Sequence, residues 1–421
     1  MKSVWVQLIA AGIVFAACAI GTAAGTSLGS DWTERPVSDD SPFSGVQISA
    51  DGGTVFAGGN HMLVRSWDGK SHFGGQSGII AAMSPDGNYV VTALGRSVTL
   101  LNNKGEPLWE RILPATARAV AISRDGTLIV AADEKGYYSS WARNGDFYGR
   151  VTDDPAKKIA ISRTGDLVVA TTEGGLRFYD GALNVKWADN RSGSIDTYIA
   201  ISSDGSTVIT AGGTRLSSHT SNGTLNWMND VTKDTIIDMA CSEDGSAIIV
   251  GGQDNAVTAI DRYGKTHWTY STGSKWANSV GVSTDASVIA VGASDGTVYV
   301  LDHGGSLLAK RSTGGIIQPR SLAVSRDGTR IVVSDQYRLN GLEVIGNTAP
   351  EGLVTYTSTP LNPVSRYTTE TTIPTVNPVL TLTTTGQTPV TPAATQKSPT
   401  GLFVVILAVA GIALVMARGK R

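Results

Sequence analysis

The chain is 421 residues long, with 34 Lys and Arg against 36 Asp and Glu and a formal net charge of −2. So even a balance gives no bulk electrostatic attraction to a polyanion, which excludes nucleic acid as a partner of that kind. Length alone suggests two or three domains, but an internal repeat replaces that expectation with one large domain and its appendages.

Residues 1–24 read as a secretory signal peptide. Lys2 forms a positive n-region, Val4 to Ile20 is an apolar core broken only by Gln7 and Gly12, and Gly21-Thr22-Ala23-Ala24 offers small residues for cleavage. An uncleaved anchor is the alternative. Phe15-Ala16-Ala17-Cys18 resembles a lipobox, with Phe15 where such boxes usually carry Leu; it implies lipidation of Cys18. If Cys18 leaves with the signal, Cys241 stands alone and no intramolecular disulfide forms. Cys241 takes the place of Ile122, Ile161 and Ile201 in its repeat, which predicts a buried, inert thiol.

The repeat runs from residue 46 to 345. It aligns on Ser49, Ser84, Ser123, Ser162, Ser202, Ser242, Ser283 and Ser325, at steps of 35, 39, 39, 40, 40, 41 and 42 residues. An aspartate follows two positions later, except at Thr164, and then a glycine, except at Ala286. An Asp-Gly between two β-favouring runs, such as Val120-Ala121-Ile122 and Leu128-Ile129-Val130, is a hairpin signal. Ala286 should strain its turn or force a different one. Further along each unit a glycine turn precedes an aromatic: Gly105 then Trp109, Gly223 then Trp227, Gly264 then Trp268, with Gly69 then Phe73 a weaker version. Trp187 keeps this register although its turn is altered. Each unit therefore predicts four short antiparallel strands, A to D, and about 40 residues for four strands matches one propeller blade.

On these residues the chain resembles the WD-repeat and quinoprotein-like (PQQ-like) β-propellers. Ser-x-Asp-Gly looks like the WD-type blade turn, and Asp261-Arg262-Tyr263-Gly264-Lys265-Thr266-His267-Trp268 looks like the Trp-docking repeat of quinoprotein-like blades. The resemblance covers residues 31 to 346 and implies an all-β propeller, assigned to residues 25–349. Eight serine motifs predict eight four-stranded blades. Asp31-Trp32-Thr33-Glu34-Arg35 resembles a strand D, and the last unit lacks one, so the N-terminal strand is expected to close the last blade. Seven blades are the alternative if the first unit is irregular.

No two of His61, His72, His219, His267 and His303 have ligand-like spacing, and no Cys cluster exists. The vicinal cysteines usual in quinone enzymes, a Cys-x-x-Cys-His haem site and a phosphate loop are all lacking, so neither cofactor nor metal is expected. Binding remains. The D–A and B–C loops share one face around the central channel, and they are expected to be the longer and more variable loops, so recognition is expected there. Five residues before the serine stand Arg118, Lys157, Thr197, Asn278 and Arg320; three are cationic and suit an anionic ligand such as an acidic glycan. Trp276 lies off the aromatic register and is a candidate stacking platform; packing on a neighbour is the alternative. Asn190-Arg191-Ser192 and Asn222-Gly223-Thr224 are N-glycosylation acceptors in predicted loops.

Residues 350–400 are rich in Thr and Pro and read as an extended, mucin-like stalk, with one more strand at Gly352–Tyr356 as the alternative. Residues 401–421 hold an uncharged apolar run, Leu402 to Ala417, then Arg418, Lys420 and Arg421. The run is at the lower limit for a transmembrane helix, and its basic tail puts the C-terminus inside. Pro399-Thr400-Gly401, the apolar segment and the basic tail resemble the tripartite sorting signals of archaeal surface proteins, which archaeosortases process; Pro-Thr-Gly stands where the best-known form has Pro-Gly-Phe. The expectation is a propeller tethered to the membrane at the cell surface, binding a surface glycan or protein, or organising the envelope. An extracytoplasmic quinoprotein-like oxidoreductase or propeller hydrolase is the rival, and a scaffold for assembly of a surface protein complex is a third reading.

Overall fold

Each repeated serine closes a hairpin turn. The structure, a computed structural model, describes residues 26–35, 43–59, 62–69, 71–74, 80–189 and 198–346. In all eight copies the serine Oγ accepts the backbone N–H five residues on, at 2.8 to 3.0 Å. The serine carbonyl also accepts the N–H of the residue three on, which is glycine or Ala286. Where the aspartate is present, the same hydroxyl donates to its carboxylate, as Ser123 does to Asp125 at 2.7 Å. Ala286 keeps the turn and takes φ +56° itself. Thr164 turns to Asp166 instead, at 2.7 Å.

Among the described residues thirty-two strands form eight four-stranded sheets, so the blades number eight. The innermost strands A are Phe43–Ile48, Ile80–Met83, Ala117–Ile122, Ala156–Ile161, Tyr198–Ile201, Ile236–Cys241, Ala277–Val282 and Ile317–Val324. They neighbour one another in a ring around the axis. Blade 8 takes its outer strand from the N-terminus: Ser27–Glu34 pairs antiparallel with Leu339–Ile345, Ser27 opposite Ile345 and Glu34 opposite Leu339. That strand carries Trp32 onto blade 1, edge to face with Trp67 at 5.4 Å, with the Arg65 guanidinium 3.6 Å above the Trp32 ring and paired with Glu34 at 2.7 Å.

Both faces of a blade are covered, so its apolar residues need no polar face. Val91, Leu100 and Trp109 of blade 2 share one core with Val120, Ile129 and Trp141 of blade 3. The outer aromatics lap forward onto the next blade. Trp109 Nε1 donates to the Arg143 carbonyl at 2.8 Å, Trp227 to Arg262 at 2.7 Å and Trp268 to His303 at 2.9 Å. Each of these rings lies on the glycine of that turn, Gly145, Gly264 or Gly305. In blade 4, Leu183 occupies the equivalent glycine position at φ +66° and is buried, which is how Trp187 keeps its register.

Loop lengths differ from the expectation. A–B connections take five or six residues, B–C connections two or three, and D–A connections three to eight. Only the D–A loops are variable; the B–C turns are the tightest, because adjacent strands need no more than a two-residue link. Cys241 packs against the core of blades 5 and 6, where burial pushes its thiol up to about 12. Positions 1–24, Cys18, the Thr/Pro-rich stretch with its alternative strand, and the C-terminal apolar run lie outside the described residues.

Two glycines separate the parts of the aromatic lap. Gly264 and Gly273 hold φ +83° and +84°. A Cβ at 264 would stand 2.7 Å from the Trp227 ring, and one at 273 meets nothing within 4 Å. In chemical denaturation both Ala variants should lose about 1–2 kcal/mol to left-handed backbone strain. Gly264→Ala should lose a further ~1–3 kcal/mol by overpacking; equal losses would argue against the lap as a source of stability.

Candidate functional site

A β-bulge recurs in the inner strands, and it falls on the sequence-predicted positions. The register slips between Ala117 and Ala119, Ala156 and Lys158, Ile236 and Asp238, and Ala277 and Ser279. The extra residues are therefore Arg118, Lys157, Ile237 and Asn278, and a wider slip between Ile317 and Leu322 contains Arg320. A bulge reverses which residues share a face downstream. The side chains that link neighbouring blades around the channel accordingly stand four before the serine: Lys158, Tyr198, Asp238 and Ser279, from blades 4 to 7.

Their partners are specific. Tyr198 donates its phenol to the Ile237 carbonyl. Asp238 is buried, and its Oδ2 accepts Ser279 Oγ at 3.2 Å and the Val280 N–H at 3.0 Å. Burial raises the Asp238 carboxyl above its usual range, against the Val280 hydrogen bond and the attraction of Lys158 and Arg320. Lys158 Nζ is 5.8 Å from the Tyr198 ring centroid. Desolvation lowers it to about 8, aided by Arg320 and opposed by Asp238.

Of the five sequence-predicted residues, Arg320 joins this group. Its guanidinium lies 5.0 Å over the Tyr198 ring, from blade 8 to blade 5, and its backbone holds φ +61°, a left-handed conformation uncommon for Arg. Arg118 and Lys157 are exposed on the inner strands of blades 3 and 4. Asn278 is buried, and its Nδ2 is spent on the Ile317 carbonyl at 2.8 Å, a tie between blades 7 and 8. Thr197 lies outside the described residues. Trp276 is 48% exposed, held by backbone contacts to Ser294. Tyr337, 54% exposed, and Ile316 stand on the neighbouring loops of blade 8, where the Gln336 N–H donates to the Ile316 carbonyl at 3.0 Å. Asn222 is exposed in the C–D turn of blade 5, its Oδ1 accepting Thr224 Oγ1 at 2.9 Å; Asn190 lies outside the described residues.

The arrangement is two cations on a phenol ring, one buried carboxylate that holds its neighbours, and exposed aromatics on the same side. It can hold an anion and stack a flat face; no group of three His, Cys, Asp or Glu poised for a metal exists among the described residues. Sequence reasoning found Arg320 and missed Lys158, Tyr198 and Asp238; Lys158 and Tyr198 each lie one residue after a position it singled out, Lys157 and Thr197.

The chain folds as a β-propeller whose blades are similar to the PQQ-like and WD-repeat kinds. Residues 184–340 match the family described as outer membrane protein assembly factor BamB. The C-terminal WD40 domain of Sif2 is similar in structure, with a TM-score of 0.62 and 15% identity over 75% of this chain and 98% of that one. The β-propeller domain of Cps50 (Swd1) from Myceliophteria thermophila aligns with a TM-score of 0.48 and 13% identity over 64% and 97%. At such identities the likeness is one of fold. No curated protein matches by sequence.

The lysine supplies a direct test. Its folded pKa lies below the unfolded value of 10.5. The partly desolvated ammonium thus opposes folding below about pH 8, and that penalty is lost as pH rises through the window from about 8 to 10.5. In 13C NMR of labelled lysines, the Lys158 ε-carbon should titrate near pH 8 while exposed lysines titrate near their ordinary value. Titration with the exposed lysines would contradict the desolvation described.

Proposed function

We propose that the propeller is a cell-surface binding module, displayed on the Thr/Pro-rich segment and tethered by the C-terminal apolar run, whose D–A mouth captures an anionic ligand such as an acidic glycan. The observation that carries this reading is the approach of Arg320 from blade 8 and Lys158 from the adjacent blade 4 to Tyr198, with Trp276 and Tyr337 exposed on the same side. Two cations near a shielded surface concentrate anions, and an aromatic ring accepts the flat apolar face of a sugar. The surface location rests on the sequence of residues 1–24 and 350–421, with their signal-like and anchor-like patterns, and Asn222 is an accessible acceptor for a glycan of its own.

A second reading is a scaffold for assembly of surface proteins. The match of residues 184–340 to an outer membrane assembly factor favours it. A scaffold of this kind engages a protein partner through loops and exposed aromatics, and needs no cation in the channel.

Titration with an oligouronate distinguishes them. Binding should weaken as salt is raised, and Arg320→Ala should weaken it about tenfold or more, the loss expected when one charge-assisted contact disappears. The neutral oligosaccharide of the same length should bind poorly. Salt-independent binding, or affinity unchanged in Arg320→Ala, contradicts the anionic reading.

A further inference from the structure

The D–A mouth also assembles an amine suited to covalent chemistry. In blade 4 the bulge takes up Lys157, so Lys158 pairs with Thr171 and its side chain reaches the next blade. There its Nζ stands 5.8 Å from the Tyr198 ring centroid, against the face of a buried phenol where an exposed lysine meets water. Lys158 is half-buried rather than sealed, so a small solute can reach the amine.

Three titratable groups face it. Arg320 comes from blade 8, is exposed, and lies 5.0 Å over the same ring, where its charge opposes the ammonium. Asp238 of blade 6 favours the ammonium, but that carboxylate is buried and burial draws it toward its neutral acid. Its Oδ2 already accepts Ser279 Oγ at 3.2 Å and the Val280 N–H at 3.0 Å. Burial keeps the Tyr198 phenol protonated, and its hydroxyl donates to the Ile237 carbonyl. Desolvation and Arg320 together outweigh Asp238, so Lys158 is neutral in a larger share of molecules than an exposed lysine at the same pH.

We propose that Lys158 captures a small oxo acid as an imine, with Arg320 drawing the carboxylate of that acid into the mouth. A lysine kept from water beside a second cation is a nucleophile near neutral pH. Its nitrogen lone pair adds to the keto carbon, and one N–H proton passes to the carbonyl oxygen. The carbinolamine so formed loses its hydroxyl with the remaining N–H proton as water, leaving a C=N bond. The step needs no oxidant or reductant. The guanidinium fork of Arg320 suits a carboxylate, which selects an oxo acid over a neutral carbonyl compound. The inference rests on the reading that this mouth admits an anion, and adds a covalent step to it.

The test is reductive trapping. The full chain is incubated near neutral pH with cyanoborohydride and pyruvate, levulinate or acetone, and peptide mass spectrometry reads the label lysine by lysine. Lys158 should be alkylated about tenfold or more ahead of the exposed lysines, the factor that one pKa unit of extra neutral amine represents. Either acid should label it ahead of acetone, and Arg320→Ala should remove that preference. Lys158→Arg should abolish the early label and Lys157→Arg should keep it, which separates the two neighbours. The order of labelling in the parent needs no variant, so it decides the matter even where Lys158→Arg fails to fold. Uniform labelling of the lysines, or acetone labelling Lys158 as fast as the acids do, overturns the inference. A chain that traps pyruvate at Lys158 but ignores oligouronate loses the glycan reading alone; one that binds oligouronate and labels uniformly loses the imine alone.

Discussion

A buried serine hydroxyl holds every blade together at its inner end. It accepts the N–H that opens strand B and, in seven copies, donates to the aspartate two residues on, so a five- or six-residue turn has one conformation rather than many. Losing such a hydroxyl strands a buried N–H, at a cost of about 1–3 kcal/mol. Because the turn is fixed, the residue after the serine is always delivered to the channel, and the residues four and five before it always stand at the opposite mouth. The repeat thus makes a rigid frame whose ring positions vary freely. The candidate site consists of such variable positions.

Closure of the ring is what brings distant repeats into contact. The N-terminal strand pairs along its whole length with the last strand, and Trp32 continues the aromatic lap from blade 8 to blade 1. An open ring would expose a sheet edge, a template for aggregation. It would also separate Arg320 in blade 8 from Tyr198 in blade 5, and Arg124 in blade 3 from Glu243 in blade 6. Both contacts join blades that are not neighbours.

The architecture was legible because it repeats: the serine falls at one position in every unit, the Asp-Gly turn and the aromatic register recur in most of them, and the strand-like segment at Trp32 announced the closing strand. The channel was less legible. Counting back from the serine reaches Arg118, Lys157 and Asn278, but a bulge in the inner strand inserts one residue there, and the polar side chains that meet stand one place further on. No local pattern signals that bulge, since Ala119, Lys158, Tyr198, Asp238 and Ser279 share no type. The tie of Arg124 and Arg326 to Glu243 was missed for another reason. The serine turns are uniform in backbone, which drew attention from the one position in them that is not uniform, the residue after the serine, where Arg124, Arg163, Glu243 and Arg326 stand.

A charged channel in a chain of nearly neutral composition is the feature that separates this propeller from its frame. The most direct measurement is a crystal structure of the protein with a short oligouronate bound. The account predicts a sugar carboxylate between Arg320 and Lys158 with a sugar face on one of the exposed aromatics of the same mouth. Ordered sugar on the outer strands, with the D–A mouth empty, would contradict it.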